Sequence, residues 1–382
     1  MRKTVITLGI ASVLVVSALY AAKGPRSLGG QQAPVQDAKG RPKVDLVIAL
    51  DTSGSMDGLI NAARQKLWDL VNEVGRAKPT PVLRVALVTY GSEGTEENGY
   101  VVIRSKLTSD LDAIYSKLFE LRTNGGTEYV GRVVHRSVKE LNWDQDQRTL
   151  KQIFVAGNES ADQDQRVRAS AAVKLARQQG IFVNTIHCGY ASGGEREGWQ
   201  EVARLGSGVF AAIDHNHGTV LVSTPYDAKI NALSAKLNGT YVGYGRAAAE
   251  GAAMQAAQDK NAEQAHASAG AARAVAKASG LYRNERWDLV DARKAGKLDG
   301  IKGEALPEKW RKLGKKELNA ELDKLEKERE GLRREILALS KQRDAFVAVE
   351  KKKKGLSEDK AFDHAVKRAI RVQAASKKIR FE

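Results

Sequence analysis

The sequence predicts an α/β fold, a doubly wound and mostly parallel sheet, followed by an α-helical tail that is partly coiled coil. Three observations predict it. Short, nearly uninterrupted apolar runs of strand length recur between residues 44 and 213. Stretches with apolar residues at helical spacing separate them. Strands that are apolar on both faces and alternate with amphipathic helices belong to a parallel sheet covered on both sides. After Asp214 the pattern changes, first to alanine and then to leucine at steps of three and four. A chain of 382 residues has room for a full-sized core and a second region.

Residues 1–22 open with Arg2 and Lys3 before an uncharged, mostly apolar run, with Lys23 after it. This is the layout of an export signal. Small residues at Ser17 and Ala18 suit cleavage, while the run is also about long enough to span a bilayer as an uncleaved anchor. Both put the body of the protein outside the cytoplasm, in the periplasm, the cell envelope or the medium. Residues 23–42, rich in Gly, Pro, Gln and Ser, read as a linker. Residues 43–238 are the expected α/β domain. Its strands are predicted at 44–50, 82–90, 151–156, 181–188 and 209–213, and its helices at 59–74, 110–121, 129–141, 165–179 and 195–205. A closing helix is expected at 225–237.

Residues 239–280 are dominated by alanine with interrupting glycines. Alanine favours helix, but little large apolar surface is present, so a weakly packed helical or disordered connector is expected. Residues 281–382 form a basic helical or coiled-coil region. Leu318, Leu322, Leu325, Arg329, Leu332, Ile336, Leu339, Arg343 and Phe346 make a heptad seam with two arginines at core positions. A last helix starting near Ser357 presents Phe362, Val366, Ala369 and Ile370 on one side. It can fold back on the seam as a hairpin, or the seam can pair with another chain.

Charge is divided the same way. Residues 41–214 carry 22 Lys/Arg and 22 Asp/Glu, whereas residues 282–382 carry 29 and 19. Of the overall net charge of +16, +10 therefore sits in the tail. An anionic envelope surface is its expected partner, with nucleic acid set aside; a plain solvated helix surface accounts for the charge equally well. The single cysteine, Cys188, excludes an internal disulfide and reads as a small buried side chain.

The chemistry is concentrated in Asp51-Thr52-Ser53-Gly54-Ser55, directly after the first apolar strand. Loops at the carboxyl ends of parallel strands are where such sheets bind ligands. This one offers one carboxylate and two spaced hydroxyls around a glycine. One hard anion plus neutral oxygens suits Mg²⁺, or Mn²⁺ or Ca²⁺, and leaves the ion electropositive enough to attract an incoming carboxylate. Read alone, the string is better taken as only a polar turn with an N-cap.

The pattern resembles the Asp-x-Ser-x-Ser sequence of the metal-ion-dependent adhesion site in von Willebrand factor A-type and integrin I domains. The preceding strand, the following helix and a second loop, Thr123-Asn124-Gly125-Gly126-Thr127, agree with it. The resemblance implies metal ligation by Asp51, Ser53, Ser55 and Thr127, and a protein partner that supplies an acidic residue to the metal. It also implies an aspartate after the fourth core strand. Gly157 stands there instead, and Asn158 is the nearest substitute, with Glu159 and Asp162 beyond it.

The leading expectation is thus a divalent-cation-assisted binding module of adhesion type in the cell envelope, not an enzyme: no phosphate loop, zinc-protease string or identifiable nucleophile–base set is present. The alternative is a structural envelope scaffold with a vestigial metal site, anchored or spaced by its tail. His215 and His217 flank Asn216 at a spacing that can bind metal, with no cysteine or acidic cluster in support.

Overall fold

The computed structural model describes residues 41–189, 193–213, 221–354 and 362–381. The leader, most of the linker, His215 and His217 lie outside them. In chain order the first half contains β1 (Lys43–Asp51), α1 (Asp57–Gly75), β2 (Ala77–Lys78), β3 (Val82–Tyr90), β4 (Val101–Thr108), α2 (Leu111–Glu120), α3 (Val130–Glu140), β5 (Leu150–Gly157), α4 (Ala169–Gln178), β6 (Ile181–Cys188), α5 (Gly193–Leu205) and β7 (Phe210–Ile213). The sheet runs β4-β3-β1-β5-β6-β7, and every pairing is parallel except β3 with β4.

The central strand shows why. After Lys43 every residue of β1 is buried. Val44, Leu46, Ile48 and Leu50 point into one core layer with Leu59, Leu67 and Trp68 of α1. Val47 and Ala49 point into the other, with Val133 and Val134 of α3. Alternate residues thus serve opposite faces, and both faces are dry. The one polar residue of the run, Asp45, is ion-paired to Arg84 at 2.6 Å and accepts the Asp144 N–H at 2.8 Å. Strand β4 is absent from the sequence reading. It is an antiparallel edge strand in which Arg104 and Lys106 are exposed, so it lacks the continuous apolar run by which the others are recognised.

The second half contains α6 (Asp227–Asn238), α7 (Ala248–Ala265), α8 (Ala267–Ala278), α9 (Leu289–Lys294), α10 (Lys315–Lys353), α11 (Phe362–Ser376) and β8 (Arg380–Phe381). The alanine-rich segment is not a loose connector. Ala262, Ala272 and Ala276 lie in the same core layer as Trp68 and Val71. Small side chains let neighbouring segments approach these helices closely: a Cβ on Gly251 of α7 would stand 2.4 Å from the ring of Trp287, in the turn before α9. Arg273, fully buried, pairs with Asp112 of α2 at 2.6 Å and with Asp259, and lies over the Trp68 ring at 4.8 Å.

The long helix α10 buries Leu322, Arg329, Ile336 and Leu339 of the expected seam. Its partners are α6, α8 and α9 rather than a second coil strand. Arg329 is fully buried and pairs with Asp288 at 2.7 Å and Asp291 at 3.0 Å, while Arg343 reaches Asp227 at 2.8 Å. The last helix does not close a hairpin on the seam. Val366, Ala369, Ile370 and Ala374 of α11 enter the core layer of α1 and β1, and Gln373 accepts the Gln152 side-chain N–H at 2.6 Å and donates to Asn184 at 2.7 Å. Then β8 pairs with β2. From residue 41 onward the described chain packs as one compact unit. No helix among the described residues is long and apolar enough to cross a membrane.

Candidate metal centre

Strand β1 delivers Asp51 to the carboxyl end of the sheet, between Tyr90 of β3 and the end of β5. Sheet order reverses at β1, with β3 on one side and β5 on the other, which is where open parallel sheets leave a crevice. Asp51 is completely buried. Its Oδ1 accepts the Ser53 N–H at 2.8 Å, which folds the loop back on itself. Its Oδ2 is buried with no hydrogen-bond partner. Burial pushes this carboxyl from an ordinary 3.8 up to about 7, with repulsion from Glu128 and Glu159 adding to it. A carboxylate so placed is stranded until a cation arrives.

The Ser53 and Ser55 hydroxyls lie 3.4 Å apart beside it, Ser53 buried and Ser55 exposed. Thr52 faces away from solvent, donating to the Tyr90 carbonyl at 3.0 Å and lying 2.6 Å from the Ser92 hydroxyl. The second loop is tied to the first by the main chain: Gly54 N–H donates to Gly125 O at 3.1 Å, and Asn124 N–H to Thr52 O at 3.0 Å. Thr127 pairs with Gly91 through an isolated bridge, and a Cβ on Gly91 would stand 2.7 Å from Asp51 Oδ1. Asp51, Ser53, Ser55 and the Thr127 loop therefore share one end of the sheet.

The departure at Gly157 has a steric explanation. A Cβ there would lie 2.4 Å from the Tyr90 hydroxyl and 3.1 Å from Asp51 Oδ2. Tyr90, buried and donating to the Ala156 carbonyl at 3.0 Å, occupies the space an aspartate side chain would need. Asn158 comes next. Its Nδ2 donates to the Ser55 hydroxyl at 3.0 Å, and its Oδ1 is buried and unpartnered. Rotating the amide exchanges those two atoms and presents an oxygen to Ser55's side of the site. The Asn158 carbonyl accepts from His187 Nε2 at 2.9 Å, which fixes this loop. Burial lowers the His187 pKa and keeps the ring neutral.

Sequence reasoning missed Tyr90 and Glu128. Glu128 directly follows Thr127, is buried, and accepts from Gln163 Nε2 at 3.2 Å. Its position in the second loop was the available signal. Glu159 is exposed at the rim, its pKa raised by partial burial and by Glu128 and Glu195. Asp162 instead pairs with Arg168 at 3.3 Å. No group of three or more His, Cys, Asp or Glu side chains able to hold a metal occurs among the described residues. The donors that lie together are one orphaned carboxylate oxygen, two hydroxyls and, once its amide is turned, the Asn158 oxygen; that hard-oxygen set fits a divalent cation that keeps water in its shell.

The family model of the von Willebrand factor type A domain matches residues 45–214. No curated protein matches the chain. Among solved structures, proximal thread matrix protein 1 from the mussel byssus, with a zinc occupied MIDAS motif, is 14% identical over 46% of this chain and 43% of its own, with a TM-score of 0.37. The pilus adhesin SpaC from Lactobacillus rhamnosus GG is 17% identical over 47% and 29%, TM-score 0.37. The SpRpn10 VWA domain is 15% identical over 45% and 88%, TM-score 0.36. This chain thus spans less than half of the mussel protein and of the adhesin. At such identities the likenesses say nothing about what it binds.

Proposed function

Taking as premise that residues 45–214 form a von Willebrand factor type A domain, we propose that the protein is a binding module of adhesion type that uses a divalent cation to capture a protein partner. The observation that carries this reading is the buried, unpartnered Oδ2 of Asp51 beside the Ser53 and Ser55 hydroxyls. Asp51, Ser53, Ser55 and Thr127 would hold the ion, with Asn158 supplying an amide oxygen in place of the acid that Tyr90 leaves no room for. Mg²⁺ suits this set best; Mn²⁺ and Ca²⁺ share its preference for oxygen. When bound, the cation supplies positive charge that a single protein carboxylate does not neutralise. The fitting partner group is an acidic side chain, and no catalytic step is assigned.

Residues 1–22 support export to the periplasm, envelope or medium, cleaved or anchored, and this part of the reading rests on the leader alone. The cationic surface of residues 282–382 supports attachment to an anionic envelope surface.

One observation favours the scaffold alternative: Gly157 lies against Asp51 where the family pattern has a second acid. Calorimetric titration of the full chain with Mg²⁺ separates the two. Saturable binding that disappears in Asp51→Ala supports the module. Heat no different from buffer, or the same heat in Asp51→Ala, hands the assignment to the scaffold.

A further inference from the structure

Beside the Asp51 loop runs a half-open groove of about 460 Å³, a volume in the range of ligand sites. It is lined by edge strand β4, the end of α2, the loop after β3 and Asn124 of the second site loop. Two of its lining residues touch Thr52 of the Asp51 loop: the Ser92 hydroxyl lies 2.6 Å from Thr52 Oγ1, and Asn124 N–H donates to Thr52 O. The groove therefore abuts the loops that carry Asp51 and Thr127. Val102, Ile103 and Leu121 supply its apolar part, and the rest of its lining is polar.

Its charge is cationic on balance. Arg104, Lys117 and Arg122 line it, against Glu93 and Glu120. Glu120 is paired with Lys117 at 2.7 Å. Arg104 is held by one bond, Nε to Thr89 Oγ1 at 2.9 Å, and its two terminal nitrogens have no hydrogen-bond partner among the described residues. Arg122 uses only Nη1, toward the Phe119 and Leu121 carbonyls. Two guanidinium groups, each anchored at one end with donors left over, line this mostly polar trough. Such a fork is shaped for a carboxylate.

We propose that this groove is a second recognition subsite for an extended acidic segment: one carboxylate of the segment completes the cation's shell at Asp51, and a second is received by Arg104 and Arg122. The proposal rests on the cation-assisted reading of the Asp51 loop. It names the partner class, an extended peptide with two acidic residues, and explains direction: the peptide leaves the metal centre toward β4, not toward the Asn158 loop.

The test uses the full chain with fluorescein-labelled glycine peptides carrying one aspartate, or two separated by one to four glycines. Anisotropy is read in Mg²⁺ and in chelator. At least one two-acid peptide should bind about tenfold or more tightly than the one-acid peptide, the effect of one charge-assisted contact. That gain should vanish in Arg104→Glu and shrink in the milder Arg104→Gln. Arg334→Glu, the same charge change on the exposed face of α10, should leave the gain intact. The proposal is overturned if no two-acid peptide exceeds the one-acid peptide. It is equally overturned if Arg334→Glu abolishes the gain as fully as Arg104→Glu, or if neither peptide class binds at millimolar concentration in Mg²⁺. Failure of the underlying reading looks different: a two-acid gain that persists in chelator and in Asp51→Ala.

Discussion

Arg329 in the helical tail and Asp51 at the end of the central strand are both fully buried charged side chains. Their surroundings are opposite. Arg329 meets Asp288, Asp291, the hydroxyl and carbonyl of Thr240 and the face of Tyr241 at 4.1 Å. Asp51 keeps one oxygen with no partner, and its acidic neighbours repel it. A buried ion with every donor answered is a fastening, because removing either side strands the other. A buried ion left half answered beside hydroxyls, at the open end of a sheet, is a place prepared for something not in the chain. The same contrast separates the two ways this protein buries charge: the tail locks itself to the domain, and the domain stays open at one end.

Asp288→Ala should have the largest effect, about 3–5 kcal/mol of stability, because it leaves Arg329 buried without its main partner. Denaturant unfolding reads this, and a loss below about 1 kcal/mol would mean the cluster is hydrated and not a fastening. Ile370→Ala, in the α11 face that enters the domain core, should cost about 2–5 kcal/mol. If the loss is negligible, the tail is dispensable to the domain after all. Gly157→Asp should cost about 1–3 kcal/mol by crowding the Tyr90 hydroxyl, and Tyr90→Phe on that background should recover part of it. The change of opposite sign is expected for Asp51→Asn in chelator at neutral pH, which should gain stability, because the carboxylate it removes is buried and unpaired. Its pH signature is sharper. A folded-state carboxyl raised from 3.8 to about 7 binds a proton that the unfolded chain has released, so the metal-free protein should lose stability as pH rises between those values. Asp51→Asn should flatten that slope.

The sequence made the domain legible where local pattern suffices. The strands and helices of the α/β half follow from continuous apolar runs and helical spacing, and the Asp51 loop follows from its place at a strand end. What it hid depends on distance along the chain. Arg329 and Arg343 stood out as misfits in an apolar seam, but their acidic partners lie in segments with no local link to it. The alanine-rich stretch carries little large apolar surface, yet small side chains are what let a neighbour come close, as Trp287 does at Gly251. The stripe on α11 was recognised correctly as apolar and assigned the wrong neighbour, since a stripe fixes a face and not what covers it. At the site, the missing acid was visible as Gly157, but its cause, the Tyr90 hydroxyl from β3, was not.

The central claim is that Asp51 is kept buried and unpaired for a cation. Thermal unfolding of the full chain in Mg²⁺ and in chelator, with Asp51→Asn beside it, tests this most directly. Binding to the folded state alone should stabilise the wild-type protein by about 2.7 kcal/mol at a hundredfold excess of Mg²⁺ over its Kd, and Asp51→Asn should show no such gain. An unfolding temperature indifferent to Mg²⁺, or an equal rise in Asp51→Asn, would contradict it.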